Sequence, residues 1–219
     1  MRFTTLYRVV PLALLAGFLL SQSAAGLADD DGFTQLFNGK DLTGFKTFFD
    51  PKAKDADPAM TWTVTDGTIR CTGKPNGYLY TDKSYKNYVI RYDWRYPAGS
   101  TPKSNSGCLV HIEPPHKIWP RCVEAQGMYQ NHGMFIPVGL KKDEVKQSKF
   151  DAEALKKALK PMGEWSTTEV TCAPDGAVSI KVNGVPVSSG QTVLTEGPIG
   201  FQSEGAEIHF RNIKIKEMK

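Results

Sequence analysis

The run from Tyr88 to Tyr96 constrains the fold more than any other stretch of the chain. Tyr88, Ile90, Tyr92, Trp94 and Tyr96 alternate with Val89, Arg91, Asp93 and Arg95. A period of two belongs to a strand, whose successive side chains point to opposite faces. One face is therefore core. The other carries charges of both signs, either a wet outer surface with a cross-strand charge ladder or the wall of a polar cleft. The same alternation recurs in Trp62-Thr63-Val64-Thr65 and Thr68-Ile69-Arg70-Cys71, with Asp66-Gly67 between them as a hairpin turn. Asn38-Gly39, Asp175-Gly176 and Asn183-Gly184 mark further tight turns. Near the end Ile208 and Phe210 set one parity and Ile213 and Ile215 the other, which predicts a β-bulge across Arg211-Asn212. Residues 50–60 are polar and bracketed by prolines, a surface loop. Residues 141–160 break the β rhythm. There Asp151 caps a short surface helix with Leu155, Ala158 and Leu159 on one side, stopped by Pro161. Many short strands with one helix predict an all-β, two-sheet jelly-roll sandwich.

The first 28 residues read as a secretory signal peptide. Arg2 and Arg8 form the basic start, Val9 to Leu20 is almost wholly apolar, and Ser21 to Ala28 is small and polar. The apolar run is too short for a comfortable membrane span. The expected location is periplasmic or secreted, with residues 29–219 as a single domain. Without the leader the chain has 25 basic and 23 acidic residues, and its net charge falls from +4 to +2. That balance offers nothing to nucleic acid or an anionic membrane; the oligomeric state is unknown from sequence. In an exported chain Cys71, Cys108, Cys122 and Cys172 favour at least one disulfide, with four buried free thiols as the rival.

The densest chemistry lies between Asn105 and Gln126. Cys108-Leu109-Val110-His111-Ile112 and Arg121-Cys122-Val123-Glu124-Ala125-Gln126 read as neighbouring strands, joined by a Pro-rich loop containing His116 and Trp119. Glu124 and Gln126 share a face, either merely solvated or lining a cleft. An acid, an amide, an imidazole and an aromatic together suit a polar, ring-shaped ligand.

Several stretches resemble the 3-keto-disaccharide hydrolase domain family. They are Leu36-Phe37-Asn38-Gly39-Lys40-Asp41-Leu42-Thr43-Gly44-Phe45, Asn105-Ser106-Gly107, Glu124-Ala125-Gln126, Gly163-Glu164-Trp165, Gly197 to Gly205 (GPIGFQSEG) and Phe210-Arg211-Asn212-Ile213. The resemblance implies a concanavalin-A-like jelly roll, similar to lectins and glucanases, in an exported protein that acts on sugars oxidised at C3. Three positions depart from the family pattern: Tyr129 stands where Asp is common, His111 where Arg is common, and Ser166 where Asn is common. If the absent Asp and Arg belong to the reactive centre, the chain is instead a lectin-like module that binds sugar without cutting it.

An ordinary glycosidase needs two carboxylates, and where related jelly rolls carry Glu-x-Asp-x-x-Glu this chain has Glu124, Gln126 and Tyr129. A 3-keto sugar asks for less, because its ketone acidifies the C2 hydrogen. A base removes that proton, the enolate expels the C1 substituent, and water adds to the enone. Glu124 or a histidine is the candidate base, and His111 or His132 the acid. Arg91, Arg95 or a divalent cation is the candidate holder of the enolate oxygen. We take Glu124 and His111 as the catalytic pair, with Gln126, Arg91, Arg95, Asn105, Trp119, His132 and Glu204 as substrate-binding residues. No cofactor is certain. His111, Glu124 and His132 are types that ligate divalent cations, but they lack an HxH or HxxxH spacing.

Overall fold

The computed structural model describes Met1 and residues 31–219; the signal peptide read in residues 1–28 lies otherwise outside the described residues. Among the described residues the strands form two main sheets, every ladder antiparallel. The larger sheet runs in the order β11 (Val145–Phe150), β14 (Val185–Thr192), β13 (Ala177–Val182), β12 (Ser166–Cys172), β7 (Tyr88–Arg95), β17 (Ile208–Glu217), β4 (Thr68–Cys71) and β3 (Trp62–Thr65). Here β1 (Thr34–Gln35) also pairs with β17. The smaller sheet runs β10 (Phe135–Val138), β9 (Arg121–Gln126), β8 (Gly107–Glu113), β16 (Gly200–Ser203), β5 (Gly77–Thr81) and β2 (Phe45–Phe49). A short pair, β6 (Tyr85–Lys86) with β15 (Glu196–Gly197), sits apart. This is the expected two-sheet jelly-roll sandwich.

The alternating face of β7 is the centre of the core. Tyr88, Ile90, Tyr92, Trp94 and Tyr96 are all buried, packed with Ile69, Phe210, Ile213 and Ile215 of their own sheet and with Cys108, Val110, Val123, Ala125 and Phe201 of the other. Trp94 is tied down twice: its Nε1 donates to Thr168 Oγ1 at 2.9 Å, and its ring stacks on His132 at 3.7 Å. The β3–β4 hairpin turns at Asp66 and Gly67, both with positive φ (49° and 71°), as a two-residue turn requires. The register of β17 slips between Arg211 and Lys214, with Asn212 at φ 50°. That bulge keeps Ile213 and Ile215 in the core beside Ile208 and Phe210.

Some expectations need correction. Val145–Phe150, read as outside the β rhythm, is an edge strand whose middle residues, Lys146 to Lys149, are all exposed. An edge strand polar on both faces carries no period of two, and lysines there discourage pairing with another chain. The polar loop of residues 50–60 tightens at its end into α1 (Pro58–Thr61), capped by Asp57 Oδ1 accepting from Ala59 N at 2.9 Å. The expected helix is α2 (Ala152–Ala158), where Asp151 Oδ1 accepts from Ala154 N at 2.9 Å and Leu155 and Ala158 are buried. No disulfide forms: Cys71, Cys108, Cys122 and Cys172 are all free and buried. Burial pushes the Cys71 thiol up to about 11 and that of Cys172 to about 12, as for a small apolar core residue. No described helix is long and apolar enough to cross a membrane.

Candidate active site

The site is built on the outer face of the smaller sheet. On β9, Val123 and Ala125 point into the sandwich, so Glu124 and Gln126 point out. The register sets Gly107 opposite Gln126, Leu109 opposite Glu124, and Gly200 opposite Leu109. By the same parity Gly107 and Leu109 share the outer face with Gln202, while Asn105 and Glu204 lie just outside the start of β8 and the end of β16. Ser106 points inward, and its Oγ donates to the Gln202 carbonyl at 2.8 Å, locking β8 to β16.

Gly107 is what makes room. A Cβ added there would run into the Gln202 amide oxygen and into Glu124 Oε1, at 2.5 Å from the latter. The two side chains therefore meet over a bare stretch of backbone. Glu124 is only 6% exposed and Gln202 only 2%. Glu124 Oε1, Gln202 Oε1 and Asn105 Oδ1 are all buried without a hydrogen-bond partner. Buried polar atoms are paired as a rule, so three unpaired side-chain oxygens in this region are unusual and mark a place for the polar groups of a ligand. Burial, and after it the charge of Glu204, pushes the Glu124 carboxyl up to about 8, while the neighbouring Gln202 amide pulls the other way. Glu204 is also raised by burial, opposed by its hydrogen bond to Asn105. Gln126 Oε1 accepts from Met128 N at 2.9 Å, which leaves the NH2 of that amide available to donate.

Further along this face lies an aromatic group. Tyr78 stands opposite Gln202 and Tyr80 opposite Gly200, with Phe48 beyond Tyr78. His116 clasps the Pro-rich loop to this group. It shares a 2.8 Å hydrogen bond with the Tyr78 hydroxyl, and its ring lies 4.5 Å from that of Tyr80. Trp119, on the same loop, is 44% exposed.

The structure parts several residues that sequence grouped with Glu124. His111 sits at a second bulge, where the register of β8 against β9 slips between Val110 and Glu113. With φ at 57° it turns inward, wholly buried and edge-on to Tyr88 at 5.8 Å. Neither ring nitrogen has a hydrogen-bond partner, and burial holds the imidazole down to about 4. His132 is also internal, its Nε2 bonded to Thr168 Oγ1 at 2.8 Å, and burial lowers it to about 3. Arg91 and Arg95 lie on the outer face of the other sheet. Arg91 binds Glu169 at 2.9 Å and covers the Phe33 ring; Arg95 binds His209 Nδ1 at 3.2 Å and covers Trp165. They form the surface charge ladder. A groove of about 940 Å³ opens on that face, lined by Arg91, Asp93, Glu169 and Lys181 among others, with the whole sandwich between it and Glu124. Among the described residues no group of three or more His, Cys, Asp or Glu is placed to hold a metal ion. Tyr129, which stands where Asp is common, donates from its hydroxyl to the Lys160 carbonyl at 2.7 Å. Sequence reasoning missed Gln202, the space at Gly107 and the aromatic group of Phe48, Tyr78 and Tyr80. Gln202 and Gly107 fall in the family motifs, and the parity of Gly200–Ser203 would have placed Gln202.

The outer face of the smaller sheet thus holds an acid, buried amides and unpaired acceptors, flanked by aromatic rings. The chain is 23% identical to a 3-keto-disaccharide hydrolase of Bacteroides thetaiotaomicron, over 86% of this chain and 79% of that one. A provisionally named glycosyl hydrolase of Parabacteroides distasonis superposes with a TM-score of 0.62 at 25% identity, covering 89% of this chain and 99% of that one. The carbohydrate binding module CBM66 of Bacillus subtilis shares the fold alone, with a TM-score of 0.54 at 12% identity over 80% and 96% of the two chains. Residues 32–216, from the first strand into the last, match one family throughout, and the chain belongs to it: the 3-keto-alpha-glucoside-1,2-lyase-like domain family.

Proposed function

We propose that the protein cleaves 3-keto-glycosides at the outer face of its smaller sheet, with Glu124 as the central proton-transfer group. The reading is carried by the unpaired oxygens Glu124 Oε1 and Gln202 Oε1, which meet at the gap over Gly107, and by the buried, unpaired Asn105 Oδ1 two residues before it. A sugar brings hydroxyl donors at close spacing, which is what such a set lacks. The Gln126 NH2 supplies the opposite polarity, a donor for a ketone or enolate oxygen.

The ketone decides the chemistry. Removing the C2 proton leaves an enolate shared with the C3 oxygen. Collapse of the enolate breaks the C1–O bond and gives a 1,2-ene-3-one, and water added across that double bond completes a net hydrolysis. Arg91, Arg95, His111 and His132 take no part, because the first two face the far side of the sandwich and the last two are sealed in its core. A general acid or base works best with a pKa near the working pH, and a carboxyl at about 8 meets that condition where an ordinary glutamate does not. Export to the periplasm or beyond remains part of this reading, supported by the basic and apolar leader in the sequence.

The test is incubation with 3-keto-glucosides and with their unoxidised parents, followed by product analysis. Release of the aglycone from the oxidised set alone supports the proposal. Saturable binding without release would instead make the protein a lectin-like module, the outcome consistent with Tyr129 in place of the common Asp.

A further inference from the structure

We propose that the reaction uses a pair of carboxyls, with Glu204 as the base at C2 and Glu124 as the acid that protonates the leaving group. This rests on the reading of the site as a 3-keto-glycoside lyase or hydrolase. It gives Glu204 a catalytic role in place of simple substrate binding.

The geometry comes from the register. Glu124 lies on β9 and Glu204 one residue past the end of β16, the two strands that flank β8, and the Glu124 and Gln202 side chains meet over Gly107, with Gln202 two residues before Glu204. Their surroundings differ. Glu124 is nearly sealed, whereas Glu204 is half-buried, and the Asn105 amide works against the rise that burial gives its carboxyl. Two carboxyls close enough to feel each other do not both ionise easily, and the proton stays on the one that is harder to solvate. That one is Glu124. The charge that bears on it is that of Glu204, and the other titratable groups nearby are the Cys108 and Cys122 thiols and the Tyr96 phenol, all neutral through the working range. At neutral pH the pair therefore holds one proton and one charge.

The proton count closes without any added reactant. The Glu204 carboxylate takes the proton from C2, and the C–H electron pair passes into the enolate. As the enolate collapses, a C1=C2 double bond forms, the C1–O bond breaks, and Glu124 gives its proton to the departing oxygen. The products are the 1,2-ene-3-one and a neutral alcohol, leaving Glu204 protonated and Glu124 ionised. Adding water to the enone calls for the reverse pair of transfers, an ionised Glu124 to activate the water and a protonated Glu204 to supply C2. One cycle of hydration thus resets the dyad.

The experiment follows exchange of the C2 hydrogen in D₂O by NMR, together with cleavage, in the full-length protein and in two isosteric variants. Glu204→Gln should lose both exchange and cleavage by at least about 10²-fold. Glu124→Gln should keep exchange, lose cleavage of alkyl 3-keto-glycosides by about 10²-fold, and recover most of that loss with a 2,4-dinitrophenyl leaving group, which needs no acid. If Glu124→Gln abolishes exchange while Glu204→Gln retains it, the roles are reversed and the proposal fails. If both variants cleave normally, the pair is refuted and so is the role given to Glu124, while selective cleavage of 3-keto-glycosides by this protein stands so long as only oxidised substrates react. If the wild-type protein cleaves no 3-keto-glycoside, both readings fall together. Should either variant fold poorly, the wild-type pH profile still decides: kcat/KM that falls above about pH 8 supports Glu124 as the acid, and kcat/KM still rising through pH 9 overturns it.

Discussion

Replacing Glu124 by Gln should stabilise the fold, and by more at higher pH. An acid raised from 4.5 to about 8 on folding is one the native state prefers to keep protonated. Below pH 4.5 it carries its proton in both native and unfolded chains and leaves stability unchanged. Between 4.5 and about 8 the unfolded chain releases that proton while the native state holds it, so native stability falls with rising pH. Each step of one pH unit costs about 1.4 kcal/mol, and the full window roughly 5 kcal/mol. Relaxation around the ionised group lowers that ceiling, and we expect a gain of at least about 2 kcal/mol for Glu124→Gln between pH 5 and pH 8. The assay is urea unfolding of wild type and variant at pH 5, 6, 7 and 8, with the difference in free energy plotted against pH. Contributions from histidines and from carboxylates remote from Glu124 cancel in that difference. A flat difference would refute the argument, since it would mean that Glu124 is ionised normally in the fold. So would a variant less stable than wild type at pH 8.

Other expectations follow from the core and the site floor. Trp94→Ala should cost about 3–5 kcal/mol in chemical denaturation, because it removes a buried ring stacked on His132 together with its hydrogen bond to Thr168 Oγ1; a loss under roughly 1 kcal/mol would mean that the β7 parity has been misread. The folded chain keeps His132 neutral down to about pH 3, whereas the unfolded chain protonates it near 6.5, so stability should be lost as pH falls through that window. His132→Asn should reduce the slope of stability against pH, measured between pH 4.5 and 5.5, by about 1.4 kcal/mol per pH unit. Gly107→Ala should abolish sugar binding by calorimetry while the protein stays folded by circular dichroism, since the new methyl group would occupy the space between Glu124 and Gln202. Unchanged affinity would separate that gap from the ligand site.

What was legible in the sequence was local. The alternation of Tyr88 to Tyr96, the Asp66-Gly67 turn, the Asp151 cap and the parity slip at Arg211-Asn212 each depend on a few neighbouring residues, and each sits in the structure as read. Pairing Glu124 with Gln126 on one face needed only a period of two. Assigning Arg91 and Arg95 to the same cleft needed more, because alternation shows which residues share a face but not which sheet that face belongs to. The strand β7 went to the other sheet, and its charged face lies behind the core. His111 escaped for a different reason. A bulge at Val110–Glu113 turns it inward, and nothing in Cys108-Leu109-Val110-His111-Ile112 marks a residue of positive φ. The free cysteines reflect size: a core that buries Trp94, Tyr92 and Phe201 needs no covalent staple.

The central claim is that this face acts on sugars made reactive by a ketone, through Glu124. The most direct measurement compares wild type and Glu124→Gln on one 3-keto-glucoside with an alkyl aglycone and on its unoxidised parent, following aglycone release. The account predicts release from the keto sugar alone, reduced at least about 10²-fold in the variant, with binding largely retained. Equal cleavage of the unoxidised parent would contradict it, since nothing then makes the C2 hydrogen acidic, and so would full activity in the variant, since Glu124 would then carry no essential proton.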